Sequence, residues 1–219
     1  MIHSRRLGVL ALAVAVAALT ACSYETQYQS AYVPDEAPTY IAYGKMVIVM
    51  PQEQRNFTYE GPPESEVGNF TTLTVPIGEI VQSIATQVFT TCFASGVEFV
   101  DEIDYTDDFV VALSGDMRDF AYRYERVIDQ GFTDEDRQVW ITPEVEIAFT
   151  VRASDHDGRV ILDKTYESGV SQGESYQVTS RPAERISQTL HATLHALMLE
   201  VAADLRPLLI GECEITDIV

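Results

Sequence analysis

Several groups of residues have types and spacings that could do chemistry. Gly169-Val170-Ser171-Gln172-Gly173 fits the G-x-S-x-G nucleophile elbow, in which a serine on a sharp strand-to-helix turn is activated by a histidine that an acid holds. His191 and His195 are four apart, a spacing that puts two imidazoles on one helix face, as zinc ligands can be. Asp155-His156-Asp157-Gly158 sets two carboxylates around a glycine, and Thr133-Asp134-Glu135-Asp136 is an acidic run.

Each of these falls short of its chemistry. The polar stretch Glu174 to Ser180 separates Ser171 from the next helix, and no Asp lies between Ser171 and the two histidines to orient a base. The zinc-protease pattern needs Glu directly after the first His, where Ala192 stands; the two histidines flank the apolar stripe of the last helix and are expected there as half-exposed imidazoles. A calcium loop needs alternating acids and a terminal Glu; Asp155 to Gly158 has a turn's composition instead. The acidic run reads as a solvated loop. We therefore expect no catalytic residues, no metal and no cofactor.

Charge narrows the partners. The 219 residues hold 14 Lys+Arg against 34 Asp+Glu, a formal net charge of −20, with Lys45 and Lys164 as the only lysines. Such a surface repels nucleic acid and other polyanions, so nucleic acid is not expected as a partner. With 46% hydrophobic residues the chain can still fill the core of one domain.

The elements that would position any site follow from periodicity. Met46-Val47-Ile48-Val49-Met50, ended by Pro51, reads as a buried strand. Residues 52–72 read as a long polar loop; its Asn56-Phe57-Thr58 and Asn69-Phe70-Thr71 fit the glycosylation pattern but are discounted in view of the N-terminal segment described below. A helix is expected from about Val75 to Ala94, with Ile77, Ile80, Val81, Ile84, Val88 and Cys92 on one stripe. Short strands follow through Val97 and Phe99 and from Asp108 to Leu113. A bulge is expected at Ser114-Gly115-Asp116, after which Phe120, Tyr122 and Tyr124 share a face. Val145, Ile147, Phe149 and Val151 alternate with polar residues, the mark of an antiparallel strand wet on one side. Val160 opens the return strand. The last helix, from about Arg181 to Arg206, carries the stripe Ile186, Leu190, Leu194, Leu197, Val201 and Leu205. Its opposite side gathers Ala192, Ala196, Leu199 and Ala203, a possible partner face.

The N-terminus reads as an address. Arg5 and Arg6 precede an apolar stretch from Leu7 to Leu19, too short to span a bilayer comfortably. Leu19-Thr20-Ala21-Cys22 then resembles the lipobox of bacterial lipoproteins. The resemblance implies cleavage before Cys22, acylation of Cys22 and a permanent membrane anchor, each buried methylene contributing about 0.8 kcal/mol. In that family Asp after the cysteine retains the protein in the inner membrane; Ser23 here implies the outer membrane, facing the periplasm. Cys92 and Cys213 then meet an oxidising compartment, where they form either a disulfide or two separate thiols.

Together these readings divide the chain into a signal peptide (1–21), an acylated tether (22–44), one domain (45–207) and a C-terminal tail (208–219). The expected fold is α+β: a two-layer sandwich with a mostly antiparallel sheet of about four strands and two helices packed on one face. The element order resembles the YajG-like lipoproteins and, more distantly, the LptE-like assembly lipoproteins. The first group suggests no enzymatic role. The second implies a partner barrel and contact with lipopolysaccharide, though no residue here maps onto such a site. The leading expectation is a non-enzymatic envelope lipoprotein that binds another envelope protein through its sheet edge, the 52–72 loop or the last helix. The alternative is a lipid- or glycan-handling accessory. An apolar groove open to solvent favours lipid, and a filled core favours protein. Cys22→Ala should abolish palmitate labelling and outer-membrane partitioning; a wild type that stays unlabelled and soluble would contradict the anchor.

Overall fold

A computed structural model describes residues 22–25, 42–68, 71–129, 138–177 and 182–209. The leader, Cys213 and the Thr133–Asp136 run lie outside them.

The strand read most clearly in the sequence organises the molecule. It is β7 (Gln138–Asp155), and it pairs along its whole length with β6 (Val111–Asp129). The other edge of β7 takes three partners in turn: β10 (Tyr176–Gln177), β9 (Ser171–Gln172) and β8 (Val160–Glu167). All these pairings are antiparallel. On its far edge β6 pairs in parallel with β2 (Met46–Val49), which pairs in parallel with β5 (Val97–Val100). The result is a seven-stranded mixed sheet. A second sheet of three strands has the order β1 (Cys22–Glu25), β4 (Thr71–Val75) and β3 (Tyr59–Gly61). Among the described residues three helices accompany the sheets: α1 (Gln52–Arg55), α2 (Ile77–Thr90) and α3 (Pro182–Leu209).

The expected fold needs correction in each count. The sheet has seven strands, not about four; its β2 flank is parallel; and a third, short helix and two further strands occupy the stretch read as loop. The parallel pairing has a physical reason. β2 is flanked on both sides and buried on both faces, and its side chains form an unbroken apolar run, as parallel strands do. Its second face is covered by a small cluster of Val47, Phe109 and Ala112.

The bulge also moves. Ser114 to Asp116 stay in register with β7, and the irregularity falls between Met117 and Asp119. The extra residue shifts the alternation by one. Leu113, Gly115 and Met117 share the inward face before it, and Phe120, Tyr122 and Tyr124 after it.

Against that face lie α2 and α3, packed on each other. Val145, Ile147, Phe149 and Val151 of β7 are buried, as are Ile186, Leu190, Leu194, Leu197, Val201 and Leu205 of α3. On α2, Ile77, Ile80, Ile84 and Val88 are buried and Val81 is half-buried. Helix α3 runs three residues past the expected end, through Pro207 in its last turn. Polar contacts at the margin of this core tie the layers together. Lys164 and Tyr166 both donate to Asp204 Oδ2, at 2.7 and 2.8 Å, joining β8 to α3. The Lys164 bond holds the Asp204 carboxyl below its ordinary range. Leu194→Ala should cost about 2–5 kcal/mol in denaturant unfolding, as truncation of a fully buried leucine does; a loss below about 1 kcal/mol would contradict its central place.

Candidate functional site

Lengths generate the main concavity. Strand β2 ends at Val49, opposite Ser114 of β6, whereas β6 continues to Asp129. Past Ser114 that edge of β6 has no strand beside it among the described residues until the 62–67 loop arrives, where Glu64 N–H donates to the Tyr122 carbonyl at 2.9 Å. The gap between is roofed by α1 and α2 and backed by α3.

Helix α1 is fixed in that position by two contacts. Asp101 Oδ1, just after β5, accepts from the Gln52 N–H at 3.0 Å and from Arg55 Nη2 at 2.6 Å. On the other side α2 presses against it: a Cβ at Gly78 would meet the carbonyl oxygens of Gln54 and Arg55. Gly78 N–H donates to the Phe57 carbonyl at 2.9 Å, joining the two helices.

The enclosed groove has a volume of about 590 Å³. Its floor is Leu113, Gly115, Met117 and Phe120 of β6 with Phe149 and Val151 of β7; Ile77, Val81 and Phe89 of α2 form the roof, and Met198 and Val201 of α3 the deep end. Gly115 lies opposite Val151 on the inward face. A Cβ there would meet only the Thr150 carbonyl oxygen, at 3.4 Å. The missing side chain at Gly115 therefore leaves open the middle of the floor. At the mouth stand Phe57, 44% exposed, Glu53 and Gln54 of α1, and the strand edge 114–119, where Ser114, Asp116 and Asp119 register with outward-facing residues of β7.

The depth of this invagination is informative. Phe89 and Val201 line it and yet are almost fully buried, so the space runs between the layers rather than over the surface. Its volume lies within the range of about 300–1,000 Å³ typical of small-molecule sites. Beside it, Tyr59, Phe120 and Tyr122 meet edge to face or stacked, with Tyr59 and Phe120 centroids 4.8 Å apart. Tyr122 OH donates to the Gly61 carbonyl at 2.9 Å, and burial pushes its phenol well above the usual range. Tyr59 and Phe120 line the groove and Tyr122 stands behind them; the raised phenols of the two tyrosines bring no acid–base chemistry at neutral pH.

The residues singled out in the sequence are not brought together. Ser171 lies in β9, opposite Val145, and no helix follows: Gly173 to Gln177, including β10, come next. Both glycines of the elbow pattern have local explanations. Gly169 adopts φ +57°, and a Cβ on Gly173 would strike the Thr189 side chain and the Pro143 ring. Asp155 caps its own turn, accepting from the N–H groups of Asp157 and Arg159 at 3.1 and 2.9 Å. Among the described residues no three His, Cys, Asp or Glu side chains gather as metal ligands.

His191 and His195 were expected half-exposed beside the core stripe but are buried, at 3% and 6% exposure. What covers a helix face is set by residues distant in sequence, which the helix's own pattern does not show. His191 Nδ1 lies 2.7 Å from the Ser187 carbonyl, one turn back. Cys92 is wholly buried, with its Sγ donating to the Val88 carbonyl at 3.3 Å; its expected mate Cys213 is not among the described residues. Ala192, Ala196 and Ala203 are exposed and Leu199 is half-buried. Cys22 opens β1, whose backbone pairs with β4 at Thr71. None of the described helices is long and apolar enough to cross a membrane.

Sequence reasoning missed the groove. Gly115 and Phe57 were visible, one as a supposed bulge and the other inside a glycosylation pattern. A lone Gly in a strand also marks close approach of a ligand, but nothing in the sequence shows where a neighbouring strand stops.

No known protein family matches this sequence, and no curated protein does. Among solved structures, similarity to this chain is found at low identity. A Xanthomonas campestris protein of the DUF330 family is 13% identical, with a TM-score of 0.48 over 85% of this chain and 97% of its own. A neuraminyllactose-binding hemagglutinin homologue from Helicobacter pylori is 10% identical, TM-score 0.40, over 82% and 91%. A minor lipoprotein from Acinetobacter baumannii is 15% identical, TM-score 0.31, over 74% and 92%.

Burial lowers the His191 pKa below that of an ordinary imidazole. As pH falls through about 6.5 the unfolded chain takes up a proton that folded His191 resists, so stability drops from there down to the folded pKa. His191→Gln should flatten this part of the stability–pH curve measured by denaturant unfolding; an unchanged slope would contradict the assignment.

Proposed function

We propose that this chain is a lipid-anchored envelope lipoprotein, held in the outer membrane through Cys22 and facing the periplasm, that acts by binding and not by catalysis. Its ligand is the acyl chain of a membrane amphiphile. The observation that carries this reading is the apolar groove of about 590 Å³ between sheet and helices, open at the free edge of β6. The lipobox-like Leu19-Thr20-Ala21-Cys22 supports the anchor.

The arithmetic favours one chain. A methylene occupies about the volume of a liquid water, about 30 Å³, so the groove has room for about 20 methylenes. That is one long acyl chain and not two. Burying each methylene contributes about 0.8 kcal/mol before the costs of immobilising the ligand. A chain held along the whole groove gains about 16 kcal/mol before those costs, and along half of it about 8.

The test is extraction of the intact acylated protein from membranes, followed by mass analysis of what travels with it. Gly115→Val is the discriminating variant. It fills the floor of the groove and replaces a strand glycine with a good strand former, so the melting temperature should hold or rise. The wild type should carry an amphiphile in addition to its own covalent lipid, and Gly115→Val should lose it. Equal recovery from both, or none from the wild type, would contradict the reading.

A further inference from the structure

Strand β6 turns main-chain groups towards the groove that its neighbours do not take. Ile147 of β7, in register with Phe120, faces away from β6: its N–H donates to Ser168 Oγ and its carbonyl accepts from the Ser168 N–H, both at 3.0 Å. Residues directly opposite in an antiparallel pair exchange both bonds or neither. Phe120 therefore points its own N–H and C=O to the other edge. Tyr122 and Tyr124 use that same edge: the Tyr122 carbonyl accepts from Glu64 N–H and the Tyr124 N–H donates to Ser65 Oγ, each at 2.9 Å. Phe120 is only 9% exposed, yet among the described residues nothing pairs with its N–H or C=O. Met117 repeats the arrangement, because Phe149 opposite it lies two residues from Ile147 and so also faces β8, at Tyr166. Roughly nine in ten buried main-chain groups have a partner. These groups lie where the groove opens, between the last β2 pairing at Ser114 and the Glu64 bond at Tyr122.

Resting on the groove reading above, we propose that the amphiphile is an N-acylated peptide, the lipid-bearing end of another polypeptide, whose main chain adds to the β6 edge as a short strand while its acyl chain enters the groove. Each open residue of the edge presents a donor and an acceptor together. An amide backbone about 4.8 Å away returns both, and does so again at the next open residue. An acyl chain alone leaves these groups unpaired, and a phosphate answers only the donors. A sugar can donate and accept but does not repeat at strand spacing. The slot from 115 to 121, with one residue bulged out, is about 20 Å long, room for a strand of about six residues. Main chain already pairs with this edge on both sides of the slot, through β2 and through Glu64, so an added strand continues the sheet. The chain's own N-terminus is committed elsewhere, since Cys22–Glu25 is the strand paired with β4.

The experiment uses the intact acylated protein in bilayer discs and amphiphiles that share one saturated chain bearing a photoreactive group. The heads are an uncharged tetrapeptide joined through its N-terminal amide, the same peptide with ester oxygens in place of its amide nitrogens, and an uncharged sugar. Labelling is read from protein segments 48–57 and 113–120, at matched concentration in the disc. The peptide head should label about tenfold more than the ester analogue or the sugar, as the loss of one or two hydrogen bonds predicts. It should also slow hydrogen exchange of the Phe120 amide, and Gly115→Val should abolish its labelling. Equal labelling by all three heads, or a sugar that labels best, would overturn the peptide assignment while leaving the groove reading intact. Labelling by none would overturn both. Unchanged exchange at Phe120 would overturn the strand addition. Equal labelling by the tetrapeptide without an acyl chain, its photoreactive group moved to a side chain, would overturn the proposal as well, because the edge would then take a plain strand.

Discussion

The contact between the inward face of β7 and the stripe of α3 is the constraint on which the rest depends. Residues 145 to 151 of β7 and 186 to 205 of α3 bury their large side chains almost completely. The two elements are far apart in sequence, and each is amphipathic on its own. Because β7 is 18 residues long, it can hold β6 on one edge and β10, β9 and β8 in succession on the other. Short strands such as the two-residue β9 and β10 have no stability of their own; they persist because β7 is already fixed against α3.

From that frame the groove follows as a mismatch. A 19-residue β6 stands beside a four-residue β2, and beyond Ser114 the sheet loses both β2 and the β5 that pairs with it. An open strand edge is an invitation to aggregation. Here the bulge at Arg118, the charges of Asp116 and Asp119 and the roof of α1 blunt it. The same devices leave an interior lined by apolar side chains that no other part of the described chain fills. α1 is a small element with a large consequence, since Asp101 and the bare Cα of Gly78 hold it where it closes the roof.

The legible parts of this fold were those whose signal is local. The stripe of α3 and the alternation of β7 could be read residue by residue, because period and burial coincide. Pairing direction could not. The run Met46 to Met50 shows two-sided burial, which hints at a parallel strand, yet a short apolar run does not say which strands flank it. The 52–72 stretch looked like loop because α1 and β3 are four and three residues long, too short for periodicity to show. His191 and His195 were misjudged for a related reason: what covers a helix face is set by distant chain. The groove belongs to this second class. Gly115 was visible, but its meaning depends on where β2 ends.

The most direct test of the central claim, that a chain-shaped ligand belongs between the layers, is an experimental density map of the intact protein extracted from its own membrane. The account predicts elongated density running from the β6 edge past Gly115 towards Val201. Side chains closed over Gly115, or a groove filled only by ordered water, would contradict it.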